Sequence, residues 1–177
     1  MSAKNEYINN QDFLNALVEY KETVKDSKEL NFDKPRIPNY IGECFLKIAN
    51  NLAKRPNFYN YTYKDEMISD AIENCLMYFE NFDPNKSSNP FAYFTQICWY
   101  AFIRRIDKEK KQQYIKYKAT ESFGILDEEE LRELGDDTRL PQIEIYQNMY
   151  SFIAQYEKKE EKKKPEKKDK GIELFLE

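Results

Sequence analysis

Between Asn89 and Lys118 the sequence reads NPFAYFTQICWYAFIRRIDKEKKQQYIKYK, a run with no glycine and, after Pro90, no proline. Nothing in it breaks a helix, so the run predicts a single helix of roughly 28 residues, about 42 Å long. Pro90 suits the first turn, where a backbone N–H has no partner to lose. At about 100° per residue, Phe91, Phe94, Ile97, Cys98, Ala101 and Phe102 fall in one sector, which reads as a core face. Tyr93, Gln96, Tyr100, Arg104 and Lys111 fall on the other side and read as a wet stripe of rings and cations. Such a stripe suits nucleic acid, because rings stack on exposed bases while Arg and Lys neutralise phosphates. An element this long needs other helices to cover its apolar sector. No stretch of the chain shows the period-two alternation of a strand, so the predicted fold class is all-α.

The other elements follow in order. Phe13, Leu14, Leu17, Tyr20, Lys21 and Val24 recur at three- and four-residue steps and predict an amphipathic helix of about four turns. Asp26 to Arg36 reads as a linker, and Pro38 opens the next helix. That helix carries Ile41, Phe45, Leu46, Ile48, Ala49, Leu52 and Ala53 on its apolar face and stops at Pro56. The tract from Pro56 to Tyr63, PNFYNYTY, is an aromatic loop whose rings are expected over the bundle. A third helix from about Thr62 or Lys64 buries Met67, Ile68, Ala71, Ile72, Cys75, Leu76 and Phe79. Glu66, Ser69, Asp70, Glu73 and Asn74, at i, i+3, i+4, i+7 and i+8, point away from that core. The turn chemistry of Asp83 to Pro90 separates it from the long helix. Pro141 starts a last helix with Ile143, Ile145, Tyr146, Met149, Tyr150, Phe152 and Ile153 inward.

Charge is distributed as a dipole. The chain carries −4 overall, but Lys86–Lys118 has eight cations against two acids, and Ala119–Glu144 has nine acids against two cations. The acidic tract is either a solvated connection with one short helix, Asp127 to Leu134, or a nucleic-acid mimic. The chain has no histidine, which removes His-based catalysis and imidazole metal sites. Cys44, Cys75 and Cys98 sit on apolar helix faces and read as small buried residues in a reducing compartment, with no metal site implied. No long apolar run and no signal-peptide pattern is present, so a soluble, intracellular protein with no membrane partner is expected. No Gly-rich phosphate loop or paired carboxylates in an apolar setting occur, so the chain is read as not an enzyme, with no cofactor.

Glu157–Lys170, EKKEEKKKPEKKDK, has no apolar residue and reads as a flexible tether. It ends in Gly171–Glu177, GIELFLE, an acidic-apolar tip that reads as a docking peptide. The segments are thus an N-terminal helix and linker (1–37), a helical domain (38–118), an acidic segment with a C-terminal helix (119–156), and tether with docking peptide (157–177).

The span DEMISDAIENCLMYFENFDPNKSSNPFAYFTQICWYAFIRRI, Asp65 to Ile106, resembles the second conserved region of bacterial sigma factors. It shares a D/E-x-I-x-E/D-x-x-x-x-L helix, the phrase F-D-P-x-K, and an aromatic helix with Y-x-T and A-x-x-R. Lys47–Arg55, KIANNLAKR, is similar to the helix leading into that region. Within the sigma factors the chain looks most like the small late-transcription factors of tailed phages, in NPFAYFTQICWYAFIRRI and in its last residues. The resemblance implies a compact helical bundle with a charged C-terminal tether, acting in the cytoplasm of a bacterial host.

By the same resemblance, Glu66, Ser69, Asp70, Glu73 and Asn74 would bind the beta prime coiled coil of RNA polymerase core. Tyr93, Thr95, Tyr100 and Arg104 would capture the non-template strand of promoter DNA; Arg105 and Lys108 join them on charge grounds, and Gln96, Trp99 and Lys111 complete the predicted DNA surface. Ile172, Glu173, Leu174, Phe175 and Leu176 would dock on the replication sliding clamp. The paired tryptophans of primary sigma factors align with Gln96 and Ile97, while Trp99 lies three positions later. Strand opening would then be arranged differently and lean on a separate co-activator. The alternative function is a helical adaptor that links polymerase to the clamp without reading the promoter.

Overall fold

The computed structural model describes residues 7–122 and 136–163, with side chains described for 7–122 and 143–162. The elements are α1 (Asn10–Glu29), α2 (Asn39–Ala53), α3 (Lys64–Tyr78), a 3-10 turn at Phe79–Asn81, α4 (Pro90–Ser122) and α5 (Asp136–Lys163). Among the described residues there is no strand, so the protein is all-helical. The chain divides into two compact units between Lys108 and Glu109.

In the first unit, α1 is capped at Asn9, whose side chain accepts from the Gln11 N–H at 3.0 Å. The helix runs to Glu29, past the predicted start of the linker at Asp26. Its end is a Schellman turn: Phe32 N–H donates to the Ser27 carbonyl, Asn31 N–H donates to that of Lys28, and Asn31 takes φ 55°. Asn tolerates that left-handed conformation better than most residues. Pro38 does precede α2, and the aromatic tract after it places Phe58 fully inside, while Tyr59 stays exposed.

α4 begins at Pro90 as predicted, and its first turn is tied down by carboxamides. Asn89 Oδ1 accepts from Ala92 N–H (3.0 Å), and Asn10 Oδ1, from α1, accepts from Phe91 N–H (3.1 Å). Asn10 Nδ2 also donates to the Ser88 carbonyl at 3.2 Å. These side chains satisfy donors that a helix start leaves without intrahelical partners.

Four helices converge on one aromatic core. Phe13 of α1, Phe45 of α2 and Phe94 of α4 have ring centroids 4.7–6.0 Å apart. Phe58 sets its ring edge-on to Trp99 (4.9 Å) and Phe102 (5.1 Å). Phe82 and Phe79 close the end near α3. Phe13, Leu17, Tyr20 and Val24 of α1 belong to this same core, so the N-terminal helix is not a separate segment. Leu46 and Leu76, predicted inward, are 44% and 40% exposed. Each lies at the edge of its apolar sector, where the neighbouring helices do not reach.

In the second unit, Tyr114 stacks on Tyr156 (4.6 Å, 17°) and Tyr117 packs edge-on against Phe152. Met149 and Ile153 are buried, while Ile145 and Tyr150 are exposed. α5 starts before Pro141 and includes 157–163, so the first part of the predicted tether is helical. Glu157 there accepts from the Tyr114 hydroxyl at 2.9 Å and lies 3.7 Å from Lys118. That anchor gives a charged sequence a reason to stay helical. The predicted short helix at Asp127–Leu134, the rest of the tether and the terminal docking peptide lie outside the described residues.

Candidate functional site

The two polar surfaces predicted on α3 and α4 meet. Asp70 accepts from Arg105 with both carboxylate oxygens, at 2.6 Å from Nε and 2.7 Å from Nη2. Asn74 Oδ1 accepts from Arg104 Nη2 at 2.6 Å, and Asn74 Nδ2 donates to the Asp70 carbonyl. A planar guanidinium across a carboxylate is the geometry in which Arg binds best. The side chains of Arg105 and Asp70 are only 17% and 29% exposed. Asp70 and Asn74 lie on the outer flank of α3, as their spacing predicts, but both are engaged across the α3–α4 seam. Sequence spacing put them on the outer face of α3, but α4 carries two arginines long enough to wrap over its flank. Glu66, Ser69 and Glu73 remain exposed, and the Ser69 hydroxyl donates to its own helix at Asp65.

On α4, Tyr93 departs from the predicted wet stripe. Its ring lies 5.3 Å from Phe82 and 5.1 Å from Phe94, and burial, with Cys75 nearby, pushes its phenol pKa up. It packs against the core because Phe82, from the turn before α4, covers that side of the helix. Trp99 is half-buried against Phe58. Thr95 spends its hydroxyl on the Phe91 carbonyl at 2.7 Å. Gln96, Tyr100, Lys108 and Lys111 are exposed, with Lys111 in the second unit.

Phe91, predicted for the core, is 42% exposed. Together with Ala92, Thr95, Gln96, Trp99 and Tyr100 it lines an open groove of about 480 Å³ along α4. No sequence signal separates Phe91 from Phe94: both fit the apolar sector. The packing of the bundle covers the Pro90 and Phe94 side of the start of α4 and leaves the Phe91 side open.

In the core, Cys75 and Cys98 are buried with sulfurs 3.5 Å apart, and Cys44 is buried as well. The shared sulfur contact first, and burial second, push the Cys75 thiol pKa up, so it stays protonated and inert. No group of three metal-ligating side chains occurs among the described residues. No helix among them is long and apolar enough to cross a membrane. No protein-family model matches this chain, and no curated protein sequence matches it.

Proposed function

We propose that this chain is a sigma-like factor that binds RNA polymerase core and directs it to phage late promoters. In this reading it captures and opens a TATA-like element about ten base pairs, one helical turn, upstream of the start. The polymerase performs the chemistry, and this chain is not an enzyme. The observation that carries the reading is the α4 groove, where Phe91, Trp99 and Tyr100 surround Thr95 and Gln96. Rings beside the exposed Gln96 amide suit an unstacked base, which offers both a π-face and polar edges. The resemblance of Asp65–Ile106 to sigma region two supports the same assignment. Glu66, Ser69 and Glu73 are the surface offered to the beta prime coiled coil. The tip from Ile172 to Leu176 binds the sliding clamp, which activates transcription together with a separate co-activator in the host cytoplasm.

Arg104 and Arg105 hold α3 in this reading, and Tyr100 is the residue that separates it from the adaptor alternative. Tyr100 is 54% exposed, so Tyr100→Ala removes a stacking surface without opening the core. Loss of one base stack costs about 1–3 kcal/mol. Tyr100→Ala is expected to keep polymerase association and to reduce permanganate reactivity of the promoter bubble. Wild-type bubbles from this variant would leave the adaptor as the better reading.

A further inference from the structure

Lys21, Lys25 and Lys28 of α1 fall within roughly 60° of one another around the helix, with Glu19 and Asp26 across from them and Glu22 and Glu29 flanking Lys25. The lysine stripe walls a groove of about 270 Å³, closed by Phe79 and Glu80 at the end of α3. Tyr20, Val24 and Phe79 form its floor and are at most 8% exposed. Lys21 Nζ donates to the Glu80 carbonyl at 2.9 Å and to that of Phe82, which fixes one ammonium at the groove wall. Lys34 lies 2.5 Å from the Glu80 carboxylate and 5.2 Å from the Phe79 ring centroid. The one carboxylate lining the groove is thus neutralised, and its pKa is held down by Lys34 first, then by Lys28 and Lys21. Lys25 and Lys28 are exposed and make no ion pair among the described residues.

We infer that this groove is a phosphate-backbone contact for duplex DNA, separate from the base-binding groove of α4. Three ammoniums, Lys21, Lys25 and Lys28, line the groove with one carboxylate, Glu80, that Lys34 already pairs, so the groove is complementary to a polyanion. The sealed floor offers no pocket for an apolar anchor, which disfavours an acidic-apolar peptide. Lysine, a point charge on a flexible stem, suits a repeating phosphate chain and carries no base preference. The inference rests on the promoter reading only for the choice of DNA as the phosphate polymer.

The test uses the full chain without polymerase on a duplex oligonucleotide, with affinity measured across about 50–200 mM salt. Lys25→Ala/Lys28→Ala is expected to fold like the wild type, since both side chains are exposed and alanine favours helix. Each lost phosphate contact flattens the log–log salt slope by about 0.9, so the double variant should lose about 1.8. Tyr100→Ala, which removes no charge, should leave the slope unchanged while impairing the bubble. An unchanged slope in the lysine variant, or no duplex binding by the wild type at the lowest salt, would overturn the inference. So would loss of poly-glutamate binding with duplex binding intact, since the occupant would then be an acidic protein. A flattened slope combined with normal bubbles in Tyr100→Ala leaves this groove standing and rejects the promoter reading.

Discussion

Asp70 links a surface expectation to a structural duty. Its bidentate bond with Arg105 joins α3 to α4 at a place that is more than two-thirds covered. Hydrogen bonds to charged groups contribute about 1.5–3 kcal/mol, and the open edge of this pair argues for the lower end. Asp70→Ala is therefore expected to lower stability by about 1.5 kcal/mol, seen as a reduced urea midpoint at unchanged slope. An unchanged midpoint would mean the pair is incidental. Glu80 gives a pH dependence of known sign. Lys34 holds its carboxyl pKa below the usual range. A depressed folded-state pKa contributes stability that is present above the ordinary value of about 4.3 and is lost as pH falls through the lower folded value. The stability difference between wild type and Glu80→Gln should accordingly shrink between pH 7 and about pH 3. A difference that stays constant across that range would remove Glu80 from the acid response.

At the scale of the element, α3 has two polar margins with different work. Asp70 and Asn74 serve the bundle, while Glu66, Ser69 and Glu73 are exposed. Only the second set can be reversed without touching the α4 arginines. Glu66→Lys/Glu73→Lys is expected to abolish co-purification with polymerase core and to change stability by no more than about 0.5 kcal/mol. Retained association at unchanged helicity would reject this face as the docking surface. α4 shows a similar division of labour along one helix. Phe94, Cys98, Ala101, Phe102 and Ile106 are buried, and Phe91 and Tyr100 stand outward on the same element. Its mixed sides explain why a helix so rich in rings both fills a core and presents a groove.

At the scale of the whole molecule, the two units differ in how they are held. The first has a large aromatic core drawn from α1 to α4. The second rests on a ladder of Tyr114, Tyr117, Phe152 and Tyr156, with Glu157 tied to Tyr114 and Lys118. The clamp-binding role proposed for the tip rests on its sequence alone. A short peptide with about four apolar anchors has weak affinity by itself and relies on tethering to raise its effective concentration. Deleting Gly171–Glu177 should leave basal transcription unchanged and remove stimulation by a DNA-loaded sliding clamp. A deletion variant still stimulated by the clamp would exclude the tip as the contact.

The all-helical class, the start of α4 at Pro90, the Pro38 entry to α2 and most buried residues were legible in the sequence. Helical periodicity and proline chemistry are local, and each is written within a few turns of chain. The aromatic tract was legible only as rings over the bundle; that Phe58 goes inside and Tyr59 stays out was not. The site was legible only in part. Tyr100 and Gln96 are exposed as read, but Tyr93 turned inward, Phe91 turned outward, and Asp70 and Asn74 joined Arg105 and Arg104. Those outcomes depend on contacts between residues about 10 to 35 positions apart, such as Phe82 with Tyr93 and Asp70 with Arg105. A helical wheel ranks the sides of one helix by polarity. Which flank is covered, and by how much, is settled only when a neighbouring helix lies against it, because burial belongs to the pair and not to either sequence.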